Sequence, residues 1–200
     1  MGEGLLGLFD SEGARALISH LEKRRKLYLG VFTIGFVAGY PVAELIIEWL
    51  LDSEGYIPTG VEVIILQPLE VILLQLRIAA QIAFGLTVAT MILDLAWTGS
   101  KSFPGATSRI SRSSEGTRVV STVLAVAALG VMGLAYAHNV LIPFLLEYLA
   151  DDSAKSGLQS TWQLQSWVGF VTGLYFSSVL GFQVPILAVL LIRSGLIERR

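Results

Sequence analysis

WVGFVTGLYFSSVLGFQVPILAVLLI, residues 167–192, carries no charged side chain. Wound as a helix it reaches about 39 Å, enough to cross a hydrocarbon core of about 30 Å. Three further stretches, at about 27–51, 72–97 and 119–142, are long and apolar enough to do the same. Hydrophobic residues make up 54% of the 200, and the mean hydropathy is +0.68. The chain is therefore read as all-α, a polytopic membrane helix bundle with four predicted transmembrane helices. Basic residues orient it. Arg15, Lys23, Arg24, Arg25 and Lys26 precede the first span, Lys101, Arg109, Arg112 and Arg118 lie between the second and third, and Arg193, Arg199 and Arg200 follow the fourth. Only Arg77 and Lys155 of the 14 Lys and Arg fall elsewhere, so the positive-inside rule places both termini in the cytoplasm.

The net charge of −2 averages this basic side with an acidic outer side of Asp52, Glu54, Glu62, Glu70, Glu147, Asp151 and Asp152. Absence of Cys excludes disulfides, zinc-thiolate sites and thiol catalysis. Residues 1–26 form a cytoplasmic tail and amphipathic helix, with 27–200 the membrane domain. Ser11 is placed as the N-cap of a helix over 14–26 that lies at the membrane surface before turning into span one. The first apolar run is too long for a secretory signal and lacks a small-residue cleavage site, so it reads as a retained span. Outside the bilayer, Pro58 and Gly60 break the segment after span one, and 61–66 is a short apolar run ending at Gln67-Pro68.

Polar groups inside the spans each cost a few kcal/mol unless paired or wetted. Span two opens with Gln75, Arg77 and Gln81, span three ends with His138-Asn139, and span four holds Ser177, Ser178, Gln183 and Pro185. Arg77 reads as a snorkelling interface residue. Pro185 deprives the Gly181 carbonyl of its helical partner, which predicts either a simple kink satisfied by a neighbouring helix or a polar break beside Gln183. Gly35-x-x-x-Gly39 and Gly169-x-x-x-Gly173 permit close helix contact. Enzyme readings lack support. His20 and His138 fall on opposite sides of the membrane, and the sequence has no H-E-x-x-H, no G-x-S-x-G and no phosphate-binding Gly-rich loop.

Five motifs in order carry a resemblance. His20-Leu21-Glu22-Lys23-Arg24-Arg25 precedes span one. Pro68-x-Glu70 and Arg77 open span two, and Met91-Ile92-Leu93-Asp94-Leu95-Ala96-Trp97 closes it. Phe103-Pro104-Gly105 and Glu115-x-x-Arg118 lead into span three, and Phe182-Gln183-Val184-Pro185 lies in span four. Together they resemble the TatC family, the multispanning receptor subunit of the twin-arginine (Sec-independent) protein translocase. The matched family motifs are H-L-x-E-L-R, S-P-x-E with a following base, an aliphatic run ending in Trp, a Phe/Pro loop with Glu-Arg, and F-E-x-P. Lys23 stands where the family has an acid, with Glu22 beside it, and Gln183 replaces the span-four Glu. The family has six spans, and this sequence resembles its first four.

The resemblance implies a non-enzymatic protein of the cytoplasmic membrane that binds twin-arginine signal peptides and nucleates export of folded proteins. It implies no cofactor and no metal. Signal-peptide contacts fall on Glu115, Glu22, Arg25, Trp97, Phe103 and Pro104. Gln183 and Pro185 would meet a small single-span subunit of the TatA type, and Pro68, Glu70 and Arg77 would be structural at the outer loop. Implied partners are signal peptides of folded cargo, that small subunit, the bilayer and further copies of the chain, with no nucleic acid. Two alternatives stand beside this. A small-molecule transporter or channel subunit would use a broken fourth helix as its substrate site, and a structural scaffold would bind no ligand.

Overall fold

A computed structural model of the protein describes residues 12–53, 56–57, 61–102, 115–155 and 161–193. The elements in chain order are α1 (Glu12–Asp52), β1 (Glu62–Ile64), α2 (Glu70–Ser102), α3 (Glu115–Tyr136), a π-helical turn (Ala137–Leu141), α4 (Ile142–Lys155), β2 (Thr161–Gln163) and α5 (Leu164–Arg193). Four stretches are long and apolar enough to span a bilayer: Ile18–Asp52, Glu70–Trp97, Val120–Ser153 and Leu164–Ile192. Four crossings put the start of α1 and the end of α5 at one end of the bundle, here the termini end. The two strands lie at the other, the sheet end.

Two pairs of helices organise the bundle, α1 along α2 and α3 along α5, with α2 also meeting α5. Small residues set the spacing. A Cβ on Gly35 would lie 3.1 Å from the Ala83 Cα, and one on Gly39 would lie 3.2 Å from the Ala79 Cα. The glycine spacing in span one therefore does bring two backbones together, as small residues do in membrane helices. Gly133 performs the same service between α3 and α5, where a Cβ would sit 2.9 Å from the Ser178 carbonyl oxygen. Gly169 and Gly173 act differently. A Cβ at Gly169 would meet Nη1 of Arg77 at 2.5 Å, and one at Gly173 would meet Nη2 at 3.9 Å. The Arg77 guanidinium thus lies along one turn of α5.

The sheet end is the better buried. Leu50, Leu74, Ile142 and Val168 are essentially inaccessible there. β1 and β2 pair in parallel, with Glu62 opposite Thr161 and Ile64 opposite Gln163. α2 begins with the acid half of a capping box. Gln67 stands at the cap, Pro68 takes the first helical position, where its missing N–H costs nothing, and the Glu70 carboxylate turns back to the cap. Glu70 Oε1 accepts from the backbone N–H of Gln67 (2.9 Å), from that of Leu66 (3.0 Å) and from Gln163 Nε2 (2.7 Å). One carboxylate therefore ties the head of α2 to the root of α5. Nearby, the Tyr56 and Tyr175 hydroxyls lie 2.6 Å apart, and both lie within hydrogen-bonding distance of His138 Nδ1 in the π-turn.

After Gly60 the short apolar run forms a strand, paired with residues about a hundred positions later. The structure corrects three sequence expectations. α1 does not turn at residue 26. It is one helix of 41 residues, about 60 Å long, that runs on through Gly30, Gly35 and Gly39 and keeps Pro41 inside it. Span three does not stop at residue 142 but continues through the π-turn and α4 to Lys155. Nor is the fourth long helix broken at Pro185: α5 runs from Leu164 to Arg193 with the proline inside. One lost backbone bond is tolerated in a long helix lying against α3 and α2. That removes the broken helix on which the transporter alternative stood.

Candidate functional site

At the termini end, α1 is fastened to α2 through one acid. Asp94 Oδ2 accepts from His20 Nε2 and from the Tyr28 hydroxyl, each at 2.8 Å, and Arg24 Nη2 lies 3.7 Å from Oδ1. His20, Arg24 and Tyr28 are spaced four residues apart, so they form one stripe of α1. The Arg24 contact is too long for a close charge-assisted bond. The fastening therefore rests on the histidine and the tyrosine. Asp94 was legible as an acid inside an apolar run, Met91 to Trp97, yet sequence reasoning did not single it out. The missing signal was the stripe on α1, which makes sense only once α1 continues as helix below residue 27.

The sequence-derived residues at this end do not join the fastening. Glu22 and Arg25 are exposed on α1, on the side turned away from Asp94. Trp97, one turn beyond Asp94 on α2, is 62% exposed. Glu115 opens α3. Phe103 and Pro104 lie outside the described residues. The termini end thus carries an exposed tryptophan on α2 and exposed charged residues on α1.

The intramembrane pair lies elsewhere. Gln183 is 5% exposed, and its Nε2 donates to the Val126 carbonyl oxygen of α3 at 3.1 Å. Its Oε1 is buried without a protein partner among the described residues. Gly130 leaves the space beside it, since a Cβ there would come within 3.7 Å of Nε2. The amide thus faces α3 of its own chain, while Pro185 and Val184 are exposed on α5. Pro68 is exposed at the head of α2, Glu70 is 1% exposed, and Arg77 is exposed along the α2–α5 seam.

Fold and site together define a polytopic helical membrane protein whose polar features are fastenings between helices rather than a catalytic constellation. Comparison with known proteins makes this specific. The family model for the Sec-independent protein translocase protein (TatC) matches residues 16–200. The chain belongs to the TatC family, a membrane component of the Sec-independent protein translocase and not an enzyme. The Synechocystis TatC is 28% identical over 187 residues, which cover 92% of this chain and 68% of that protein. A Helicobacter pylori TatC is 25% identical, covering 93% and 69%. The chloroplastic TATC of Pisum sativum is 34% identical over 76 residues, or 38% of this chain and 21% of that one. A crystal structure of the twin arginine translocase receptor TatC shares the fold, with a TM-score of 0.66 and 18% identity over 91% of this chain and 77% of the other.

Proposed function

We propose that the chain binds twin-arginine signal peptides at its termini end and nucleates export of folded proteins, with both termini cytoplasmic in the cell membrane. The observation that supports this is the match of residues 16–200 to the TatC family, with Trp97 standing exposed on α2 one turn from Asp94. Glu115, with Glu22 as a second acid, receives the guanidinium pair, and Arg25, Trp97, Phe103 and Pro104 flank the peptide. A planar guanidinium takes a carboxylate bidentately where an ammonium cannot, which accounts for a requirement for arginine over lysine. Transport is driven by the proton-motive force together with a small single-span subunit of the TatA type, which docks beside Gln183 and Pro185. The test is cross-linking of a twin-arginine peptide and its twin-lysine variant to wild type and to Glu115→Ala. Capture should favour arginine in wild type and lose that preference in the variant. Equal capture in all four combinations overturns the assignment.

A further inference from the structure

Tyr56, His138 and Tyr175 bind the connection after α1, the π-turn and α5 into one cluster at the sheet end. The turn interrupts a transmembrane stretch: the Ile142 N–H donates to the Ala137 carbonyl oxygen, five residues back instead of four. Such interruptions cost helix regularity and collect at functional positions. His138 stands on this one, exposed, with its ring 6.4 Å from that of Trp49. Trp49 lies three residues before the end of α1, about 5 Å along the axis. The imidazole therefore sits near the boundary where the span leaves hydrocarbon.

Hydrogen counting fixes the form of the ring that suits the cluster. His138 Nδ1 and the two phenol oxygens each lie within hydrogen-bonding distance of the other two. With Nδ1 bare and Nε2 protonated, Tyr56 donates to Nδ1 and Tyr175 donates to Tyr56, so both hydroxyls find an acceptor. With both ring nitrogens protonated, Nδ1–H donates to one hydroxyl, that hydroxyl donates to the other, and the last O–H faces an N–H. One phenol must then leave. Tyr175 is fixed in a helix of 30 residues, whereas Tyr56 belongs to neither α1 nor β1, so Tyr56 yields. At 8% exposure it cannot exchange its acceptor for water without moving.

No countercharge offsets that loss. α1 brings Glu48 and Asp52, which flank Trp49 in sequence and are both exposed. α2 brings Glu70, held by Gln163, and Arg77, whose guanidinium lies against Gly169 and Gly173. α3 brings Tyr136, packed on Phe182, and β1 brings Glu62. The first charge on α4 is Glu147, about 13 Å along the helix from His138, and α5 carries none between 164 and 192. His138 has no ion partner among the described residues.

We infer that His138 is a proton-binding site at the sheet end, and that the proton it takes up frees Tyr56 and with it the connection between α1 and β1. The site reads the pH of whichever side the sheet end faces. With both termini cytoplasmic, as proposed above, that is the outer side, which a proton-motive force makes acid. Only this direction rests on that reading.

Two histidines in 200 residues make the ring directly observable. In detergent-solubilised protein carrying 15N-labelled histidine, His138 should show a bare Nδ1 and a protonated Nε2 at pH 8. At pH 5.5, inside the range in which imidazole exchanges its proton, both nitrogens should be protonated. Tyr56→Phe together with Tyr175→Phe should let both neutral tautomers appear at pH 8, with His20 as the unchanged reference. A nitroxide on Glu54→Cys, in a chain without other Cys, should be several-fold more mobile at pH 5.5 than at pH 8. His138→Gln, whose amide oxygen still accepts from Tyr56 but takes up no proton, should keep the label slow at both values. The inference is overturned if Nδ1 carries the proton at pH 8, or if His138 stays neutral at pH 5.5. It also fails if the label moves equally at both pH values, or responds to pH as strongly in His138→Gln. In spheroplasts, a label that follows internal instead of external pH would refute the outward orientation and leave the switch standing.

Discussion

Replacing Glu70 by alanine should loosen the whole sheet end. The carboxylate holds three donors from two segments at 2.7–3.0 Å while being 1% exposed. At about 1.5 kcal/mol for each bond to a charged acceptor, the gross loss is about 4–5 kcal/mol. Leu66 and Gln67 are exposed, so water can reclaim their amide groups, and the net cost falls to about 3 kcal/mol. Glu70→Gln keeps an acceptor oxygen in place and should cost about 1 kcal/mol. For a chain of this size, thermal unfolding of detergent-solubilised protein should drop by about 6–12 °C for the alanine variant and about 2–4 °C for the glutamine variant. Limited proteolysis should report a new cut between α1 and α2, where the loop loses its tie to Gln163. If Glu70→Ala melts within 2 °C of wild type and acquires no such cut, the carboxylate is a bystander and the capping-box account is wrong.

Three further outcomes are expected. Gly133→Ala should destabilise by about 2 kcal/mol because its Cβ would enter the α5 backbone at Ser178, whereas Gly85→Ala, with nothing within 4 Å, should be neutral or stabilising by up to about 1 kcal/mol; paired melting curves decide. Asp94→Asn should leave the melting temperature nearly unchanged but speed amide exchange in α1 below Tyr28, since the fastening is local and a neutral amide holds His20 and Tyr28 less tightly. Gln183→Leu should be neutral or slightly stabilising, because one oxygen of that buried amide is unpartnered and an interhelical bond averages only about 0.6 kcal/mol; a loss above about 2 kcal/mol would show that a buried water or further partner completes it.

Much of the architecture was legible because it depends on composition. Four long apolar runs, with basic clusters on alternate connections, are dictated by the hydrocarbon core itself, and the crossings fall where those runs lie. Pro68 and Glu70 were picked out as a pair only through the family motif, and their role as the start of α2 emerged from the structure. What stayed hidden depends on who faces whom. Strand β1 is three residues long, too short for a period-two pattern, and exists only because residues 161–163 lie beside it. Asp94 could be seen as an acid in an apolar run, but its donors sit 66 and 74 positions earlier. Gln183 read as an outward amide because Pro185 suggested a break. Once α5 continues as a helix, its amide turns inward to Val126.

The parallel pairing of β1 with β2 bears on the order in which the chain is made. Glu62 waits for Thr161, and the Glu70 carboxylate waits for the Gln163 amide 93 residues on. A nascent α1–α2 hairpin can insert and close on its own glycine contacts, yet it must expose an unpaired strand edge and a half-satisfied acid across the membrane. Both persist until α3, α4 and the root of α5 have been translocated. The small sheet therefore marks insertion as far as the root of α5. A protease on that side of the membrane would meet the inner edge of β1 open before β2 arrives and covered afterwards.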